Sequence, residues 1–248
     1  MKKILDYVLS AVYLIHFGLS LLIFHVFQVI AFHVFGKKVH KVVVDYLNFF
    51  LTYGLYLTGA RITLQNLASL PDNRTIIFVA NHQSTFDIPA IIWFMRKYHP
   101  RFVSKIELAK GVPSISYNLR KSGAALINRK DGKQAVTEIA RLGKLIFEEK
   151  TSAIIFPEGT RTASGIMKPF VPGGVATLLK RAPDALIVPV AIENSWKIVR
   201  YGMFPLTTFN AIKWTVLPPI DQTHKNAEEI TLAAENAIRT ALNQTVAS

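Results

Sequence analysis

Two polar segments directly follow apolar runs, and their side chains could do acid–base chemistry or hold an anion. The first segment, NHQSTFD, begins after the run IIFVA and places His82 five residues before Asp87. A histidine can accept the proton of an alcohol, and a nearby carboxylate can fix its tautomer and stabilise the imidazolium. The simpler alternative makes Asp87 a helix N-cap and His82 a buried histidine bonded to the backbone. The spacing alone leaves both interpretations open.

The second segment, FPEGTRT, begins at the last residue of the apolar run SAIIF and forms a short turn between a carboxylate and a guanidinium. Glu158 and Arg161 flank Gly159 and Thr160. Glycine lets the backbone approach a ligand closely, and Arg161 could form two hydrogen bonds to one phosphate. The segment is therefore a candidate anion-binding turn, and a surface loop with a Glu158–Arg161 pair is the alternative.

Two further segments are of interest. GAALINR ends on Arg129, so an apolar strand would again deliver a basic side chain at its end. The run IVPVAI contains Pro189, which cannot donate to the hydrogen-bond ladder of a strand. We expect a structural role for Pro189.

From Arg61 onward, short β-branched runs alternate with longer mixed segments, as expected of strands and helices in turn. The pattern predicts strands at 62–65, 75–80, 101–104, 125–128, 153–156, 186–192 and 213–217. It predicts helices at 88–98, 114–120, 132–149, 174–181 and 227–243. The fold class is therefore α/β, with a mostly parallel central sheet flanked by helices. Reactive groups of such sheets gather beyond the carboxyl ends of the strands, where the polar segments lie.

The first 35 residues are unusually apolar. No Lys or Arg occurs between residues 4 and 35, and about 20 apolar residues are enough to cross a bilayer. The stretch is too long for a secretory signal peptide, and no small-residue cleavage site closes it. Two membrane interpretations remain: a true span, or a hairpin in one leaflet that turns at 36–38 and returns through 39–57.

We favour the hairpin, because several polar side chains in this stretch would be costly in hydrocarbon. These side chains are His16, His25, Gln28 and His33. A pair of helices in a protein core is the structural alternative. The predicted division is an N-terminal apolar helical membrane segment at 1–59 and an α/β domain at 60–248.

The charge is strongly basic and unevenly distributed. The formal net charge is +13; residues 1–60 contribute +3 and residues 221–248 contribute −2, so +12 lies in 61–220. A basic middle suggests nucleic acid, an anionic membrane surface, or an acidic or phosphorylated substrate as the partner, and a basic, well-solvated surface is the alternative. No nucleic-acid motif is recognisable, so we expect no nucleic-acid partner. The chain has no cysteine, which excludes a disulfide framework, a thiolate zinc site and a cysteine nucleophile.

Taken together, HxxxxD, GxxxIxR, FPEGTRT and the VPVAI strand occur in the order and approximate spacing typical of one family. Over residues 60–220 the chain resembles the glycerolipid acyltransferases, whose type member is the bacterial 1-acyl-sn-glycerol-3-phosphate acyltransferase. The resemblance implies that His82 is the general base and that Asp87 orients it. It also implies a set of substrate-binding residues, with the arginines on the phosphate: Lys105, Arg129, Glu158, Gly159, Thr160 and Arg161.

The resemblance further implies the reaction. An acyl group would pass from acyl-ACP or acyl-CoA to the sn-2 hydroxyl of 1-acyl-sn-glycerol-3-phosphate, giving phosphatidic acid for phospholipid biosynthesis. No metal or resident cofactor is expected. The expected partners are membrane lipid, the lysophospholipid acceptor, and an acyl carrier protein or coenzyme A thioester. The expected location is the bacterial inner membrane, with the active site on the cytoplasmic side.

Three alternatives stay open. The acceptor could be another lysolipid, such as lysophosphatidylglycerol or a lyso-ornithine lipid. A hydrolase could use the same His82–Asp87 pair on water, although no Gly-x-Ser-x-Gly elbow or His-Glu-x-x-His motif is present. A non-catalytic, basic membrane-surface binding protein would explain the charge and the apolar N-terminus, but not four ordered motifs at strand ends.

Overall fold

A seven-stranded sheet forms the centre of the protein in a computed structural model that describes residues 2–245. The predicted N-terminal segment begins at residue 1 and the predicted α/β domain ends at residue 248, but residue 1 and residues 246–248 lie outside the described residues. The strands are β1 Arg61–Asn66, β2 Ile76–Ala80, β3 Pro100–Lys105, β4 Ala125–Ile127, β5 Ser152–Ile155, β6 Leu186–Glu193 and β7 Ala211–Val216. Their order is β1-β7-β6-β2-β5-β3-β4. Only β6 and β7 pair antiparallel among these neighbours, so the predicted mostly parallel sheet is confirmed.

Helices cover both faces of this sheet. They are α1 Lys2–Ile30, α2 Gly36–Tyr53, α3 Asp87–Phe94, α4 Ile115–Lys121, α5 Gly132–Glu149, α6 Gly173–Arg181, α7 Ser195–Ile198 and α8 Ala227–Ala241. All five predicted helices are present, but the first of them ends at Phe94 and is followed by a separate 3₁₀ turn, Arg96–Tyr98. The short helix α7 was not predicted.

The central strand β2 explains why the sheet holds together. All five of its residues are buried, and successive side chains point to opposite faces. Ile76 and Phe78 join the apolar cluster on one face, whereas Ile77 and Val79 join the cluster on the other. This double burial fixes the end of β2, and therefore the start of the NHQSTFD segment, within the core.

The N-terminal segment folds as a helical hairpin. A single π-helical turn, Ala31–Phe35, follows α1, and the chain reverses at Gly36, whose φ of +81° is readily adopted by glycine. The two helices run antiparallel: the rings of Phe32 and His40 contact each other beside the turn, with centroids 5.6 Å apart, and a ring nitrogen of His16 lies 3.0 Å from the carbonyl oxygen of Phe50 farther along the hairpin. The aromatic rings of Phe24 and Phe50 pack with their centroids 5.5 Å apart.

One face of the hairpin belongs to the core of the α/β domain. Tyr13 is fully buried in the same apolar cluster as Phe86, and their ring centroids lie 5.5 Å apart. Val44 and Leu55 join that cluster. The predicted boundary between residues 59 and 60 lies in the turn before β1, and the division into two domains stays a prediction.

The opposite face of the hairpin is apolar and uncovered. The most apolar window of the segment Lys2–Thr58 has a mean hydropathy of 2.0, and only 22% of that window is buried. Ile4, Ile15 and Val34 are each more than 60% exposed. By length and composition, this segment could cross a membrane.

Candidate active site

The carboxyl ends of five parallel strands, β2 to β6, meet at one edge of the sheet. His82 lies two residues beyond β2, and Glu158 lies three residues beyond β5. Lys105 is the last residue of β3, and Arg129 lies two residues beyond β4. The strand ends therefore bring together segments that are far apart in the sequence.

His82 and Asp87 form a direct side-chain pair. Nδ1 of His82 lies 2.9 Å from Oδ2 of Asp87. The carboxylate is fully buried, and the imidazole is 13% exposed. The ring of Phe156 stacks on the imidazole, with centroids 4.2 Å apart and an interplanar angle of 20°. Because Asp87 engages Nδ1, the imidazole keeps Nε2 for a substrate.

Further donors hold the Asp87 carboxylate in place. Oδ2 accepts the backbone N–H groups of Gln83 at 2.7 Å and Ser84 at 2.8 Å. Oδ1 accepts the hydroxyls of Ser84, at 3.3 Å, and Ser195. Asp87 is the first residue of α3, and Phe86 occupies the N-cap position. The N-cap interpretation of Asp87 therefore does not describe this site.

Glu158 connects the two motif loops. Its Oε1 accepts the backbone N–H of His82 at 2.7 Å, and its Oε2 accepts the Thr162 hydroxyl at 2.6 Å and the Lys168 N–H at 2.9 Å. The residue is 7% exposed. Arg161 donates to the hydroxyl of Thr85 rather than to Glu158. These contacts favour a positioning role for Glu158, and contact with the acceptor stays a prediction.

A groove with a volume of about 1280 Å³ opens beside the pair. Six of the eight predicted site residues line it: His82, Lys105, Arg129, Gly159, Thr160 and Arg161. Asp87 and Glu158 lie behind these residues. Apolar side chains from four elements form much of the remaining wall: Val44, Leu47 and Leu51 of α2, Ile88 and Ile92 of α3, Phe102 of β3, and Ile115 and Leu119 of α4.

The groove therefore combines three features: an imidazole paired with a carboxylate, exposed lysine and arginine side chains, and an apolar wall. Lys105, Arg129 and Arg161 are exposed to solvent and available to an anionic ligand. Gly159 has a φ of +69°, and a Cβ there would meet no atom within 4 Å. Backbone conformation rather than space favours glycine at this turn. Within residues 2–245, no group of three or more His, Cys, Asp or Glu residues could hold a metal ion.

Ser195, which was not among the predicted site residues, is fully buried and donates to Asp87. It begins α7, two residues beyond β6. The sequence signal was its place at a strand end next to β2, but a serine there has many ordinary roles. Phe156 was seen only as part of a motif, and its stacking on His82 depends on the pairing of β2 with β5.

The sequence is similar to those of known acyltransferases. The model of the acyltransferase family matches residues 61–193. A chloroplastic 1-acyl-sn-glycerol-3-phosphate acyltransferase of Brassica napus is 26% identical over 193 residues, which are 77% of this chain and 53% of the relative. The 1-acyl-sn-glycerol-3-phosphate acyltransferase of Helicobacter pylori is 31% identical over 159 residues, 62% of each chain. The chain thus spans only about half to three-fifths of the length of these curated relatives.

A solved structure shares the whole fold. The crystal structure of the 1-acyl-sn-glycerophosphate (LPA) acyltransferase PlsC from Thermotoga maritima superposes with a TM-score of 0.79, covers 100% of both chains and is 20% identical. At this identity, the likeness shows the fold alone. The family model, by contrast, covers more than half of the chain and includes the His82–Asp87 and Glu158–Arg161 segments. The chain belongs to the acyltransferase family.

Proposed function

We propose that the protein transfers a fatty acyl group from a thioester to the sn-2 hydroxyl of 1-acyl-sn-glycerol-3-phosphate, giving phosphatidic acid. The main support is the 2.9 Å contact between His82 Nδ1 and Asp87 Oδ2 at the wall of a groove that is also lined by lysine and arginine side chains. The relatives named 1-acyl-sn-glycerol-3-phosphate acyltransferase support this choice of acceptor.

In the proposed mechanism, the acyl group moves in one displacement without an acyl-enzyme. Nε2 of His82 takes the proton of the acceptor hydroxyl while the hydroxyl oxygen attacks the thioester carbonyl carbon. The resulting tetrahedral intermediate collapses, the carbon–sulfur bond breaks, and the imidazolium returns its proton to the leaving thiolate. Asp87 keeps the imidazole oriented and stabilises its charged form. The reaction consumes no water and needs no oxidant or metal.

The oxyanion of the intermediate requires hydrogen-bond donors. The N–H of Gly159 is already engaged with the carbonyl of Phe156 at 3.1 Å. The N–H of Thr160 has no acceptor in the described part of the chain, and Thr160 lines the groove. We therefore assign the oxyanion to the Thr160 N–H.

The walls of the groove suggest how both substrates bind. Lys105, Arg129 and Arg161 would hold the phosphate of the acceptor, each through charge-assisted hydrogen bonds. The apolar wall formed by α2, α3, β3 and α4 would hold an acyl chain. The donor is an acyl carrier protein or coenzyme A thioester, both of which are anionic and suit the basic surface of residues 61–220.

The hairpin would hold the groove next to the bilayer that contains the lysolipid acceptor. Its uncovered apolar face would lie in one leaflet, since one side of the same helices packs against the α/β domain. The proposed location is the bacterial inner membrane, with the groove on the cytoplasmic side.

A product assay tests the proposal. Purified protein would be given acyl-ACP or acyl-CoA with each of a panel of lysolipids, including lysophosphatidic acid, lysophosphatidylglycerol and a lyso-ornithine lipid. Mass spectrometry would detect the products. We expect phosphatidic acid as the main product. A different diacylated lipid would overturn the acceptor assignment, and thioester hydrolysis without acceptor consumption would overturn the transferase assignment.

A further inference from the structure

The segment between β6 and β7 carries an exposed aromatic surface that the proposed chemistry does not use. Tyr201, Phe204 and Phe209 are 65%, 52% and 61% exposed, and Met203 is 46% exposed. Single exposed apolar residues are ordinary, but four within nine residues of one connection form a concentrated group. We call residues 195–210 the aromatic loop.

The aromatic loop is attached firmly to the beginning of α1. Oδ1 of Asp6 accepts the backbone N–H of Thr208 at 3.0 Å and the hydroxyl of the same residue at 2.6 Å. The hydroxyl of Ser10 accepts the N–H of Leu206 at 2.8 Å. All four residues are buried. The loop therefore keeps a fixed position relative to the hairpin.

The exposed surfaces of the loop and the hairpin are continuous. The rings of Tyr7 and Phe204 contact each other edge to face, with centroids 5.4 Å apart. The N–H of Phe209 donates to the carbonyl of Thr58 at 3.0 Å, at the other end of the hairpin. Tyr7 is itself 50% exposed, beside Ile4, which is 68% exposed.

The charge of the loop favours an anionic partner. Lys197 and Arg200 are exposed, and the sequence contains no Asp or Glu between residues 194 and 220. Lys2 and Lys3, at the beginning of α1, add two more cations at this end of the hairpin. Aromatic rings beside lysines and arginines are the combination that settles at the boundary between lipid headgroups and acyl chains.

We propose that the aromatic loop is a second lipid-binding element, which docks on an anionic bilayer in the same plane as the outer face of the hairpin. This inference rests on the proposed membrane location of the hairpin. A bilayer is the partner that fits, because the loop continues the apolar hairpin face and presents cations beside it. With two contacts, the bilayer would fix the tilt of the protein as well as its depth.

The absence of cysteine in the sequence makes a direct test practical. Single-cysteine variants Phe204→Cys and Phe209→Cys of the full chain would carry an environment-sensitive fluorophore. Leu19→Cys, on the outer face of α1, reports on the hairpin, and Val136→Cys, on α5 at the other face of the sheet, is the matched control. Leu19 and Val136 are 52% and 54% exposed. Each variant would be mixed with phosphatidylcholine–phosphatidylglycerol vesicles with and without a lipid-borne quencher.

We expect the labels at 204 and 209 to shift to shorter wavelength and to be quenched, as at 19, with no change at 136. If only the label at 19 responds, the aromatic loop does not contact lipid and the inference is wrong, although the hairpin proposal stands. If no label responds, both membrane proposals fail, and acyl transfer is judged separately with a detergent-dispersed acceptor. Equal responses at 136, 204 and 209 would also contradict the inference.

A second variant tests the charge contribution. The label at 204 would report the partition constant of the protein on anionic vesicles. Lys197→Ala combined with Arg200→Ala should lower this constant by about fivefold for each residue removed. Vesicles of phosphatidylcholine alone should show no difference between the variant and its parent. An unchanged partition constant on anionic vesicles would contradict the choice of an anionic surface.

Discussion

Replacement of Asp87 by asparagine separates the charge of the carboxylate from its role in orienting His82. Oδ2 accepts three N–H groups, from His82, Gln83 and Ser84, and Oδ1 accepts the hydroxyls of Ser84 and Ser195. An asparagine fits with its carbonyl oxygen toward the three N–H groups, because the hydroxyls can rotate to accept its NH₂ group. The reverse orientation would set NH₂ against two backbone donors that cannot rotate. Asp87→Asn should therefore preserve the imidazole orientation and remove only the charge.

The charge sets the size of the expected effect. Replacing a charge-assisted hydrogen bond by a neutral one costs about 1–1.5 kcal/mol, which is about a tenfold loss of rate. As an upper bound, two unit charges about 4 Å apart at an effective dielectric constant of about 20 attract by about 4 kcal/mol, or about 10³-fold in rate. We expect kcat of Asp87→Asn to fall by about 10- to 10³-fold, with both KM values close to wild type.

The assay compares wild type and variant in two measurements: the initial rate of product formation, by mass spectrometry, and the thermal unfolding midpoint. Asp87→Ala is the matched comparison, because it leaves the N–H groups of Gln83 and Ser84 unpaired in a buried site. Each unpaired group costs about 1–3 kcal/mol, so Asp87→Ala should also unfold at a lower temperature. A wild-type kcat in Asp87→Asn would refute the role of the carboxylate charge in catalysis.

Three other predictions concern Arg161, Glu158 and His40. Arg161→Ala should raise the KM for the phosphorylated acceptor by about 10- to 100-fold, since it removes a contact of about 1.5–3 kcal/mol. The KM for an acceptor that lacks phosphate should not change. Equal changes for both acceptors would count against phosphate binding. Glu158→Gln should lower the free energy of unfolding by about 1–3 kcal/mol in urea titrations without raising the acceptor KM; a raised KM at wild-type stability would instead favour acceptor contact. Burial, with Lys121 as the second cause, lowers the pKa of His40 from 6.5. Between about pH 6.5 and this lower folded pKa, the unfolded chain therefore binds more protons than the folded chain, so wild-type stability should fall as the pH drops through that interval. An identical pH slope in His40→Gln would contradict this cause.

The sheet and the hairpin were accessible from the sequence because their signals are local. Buried parallel strands read as apolar runs, and each polar motif follows one such run. The π-turn before Gly36 and the short helix α7 were not accessible, because tertiary contacts rather than local pattern determine them. The predicted helix 88–98 was too long for a similar reason: α3 ends at Phe94, and the chain turns toward β3.

Within the site, the sequence indicated the His82–Asp87 pair but not how it is held. The spacing of five residues is compatible with several geometries, and the contact of Asp87 with Ser195 joins residues 108 positions apart. Glu158 was predicted to bind the acceptor because its motif resembles that of the glycerolipid acyltransferases. Its hydrogen bond to the backbone of His82 depends on the pairing of β2 with β5, which no local pattern specifies.

General-base catalysis by His82 is tested by comparing purified wild type with His82→Ala, using lysophosphatidic acid and an acyl thioester as substrates. Mass spectrometry would follow phosphatidic acid, and the thermal unfolding midpoint would be measured on the same samples. General-base catalysis by His82 predicts a loss of kcat of about 10²- to 10⁴-fold with little change in the unfolding midpoint. Equal turnover by the two proteins would contradict the proposed mechanism, because the imidazole would then have no part in the acyl transfer.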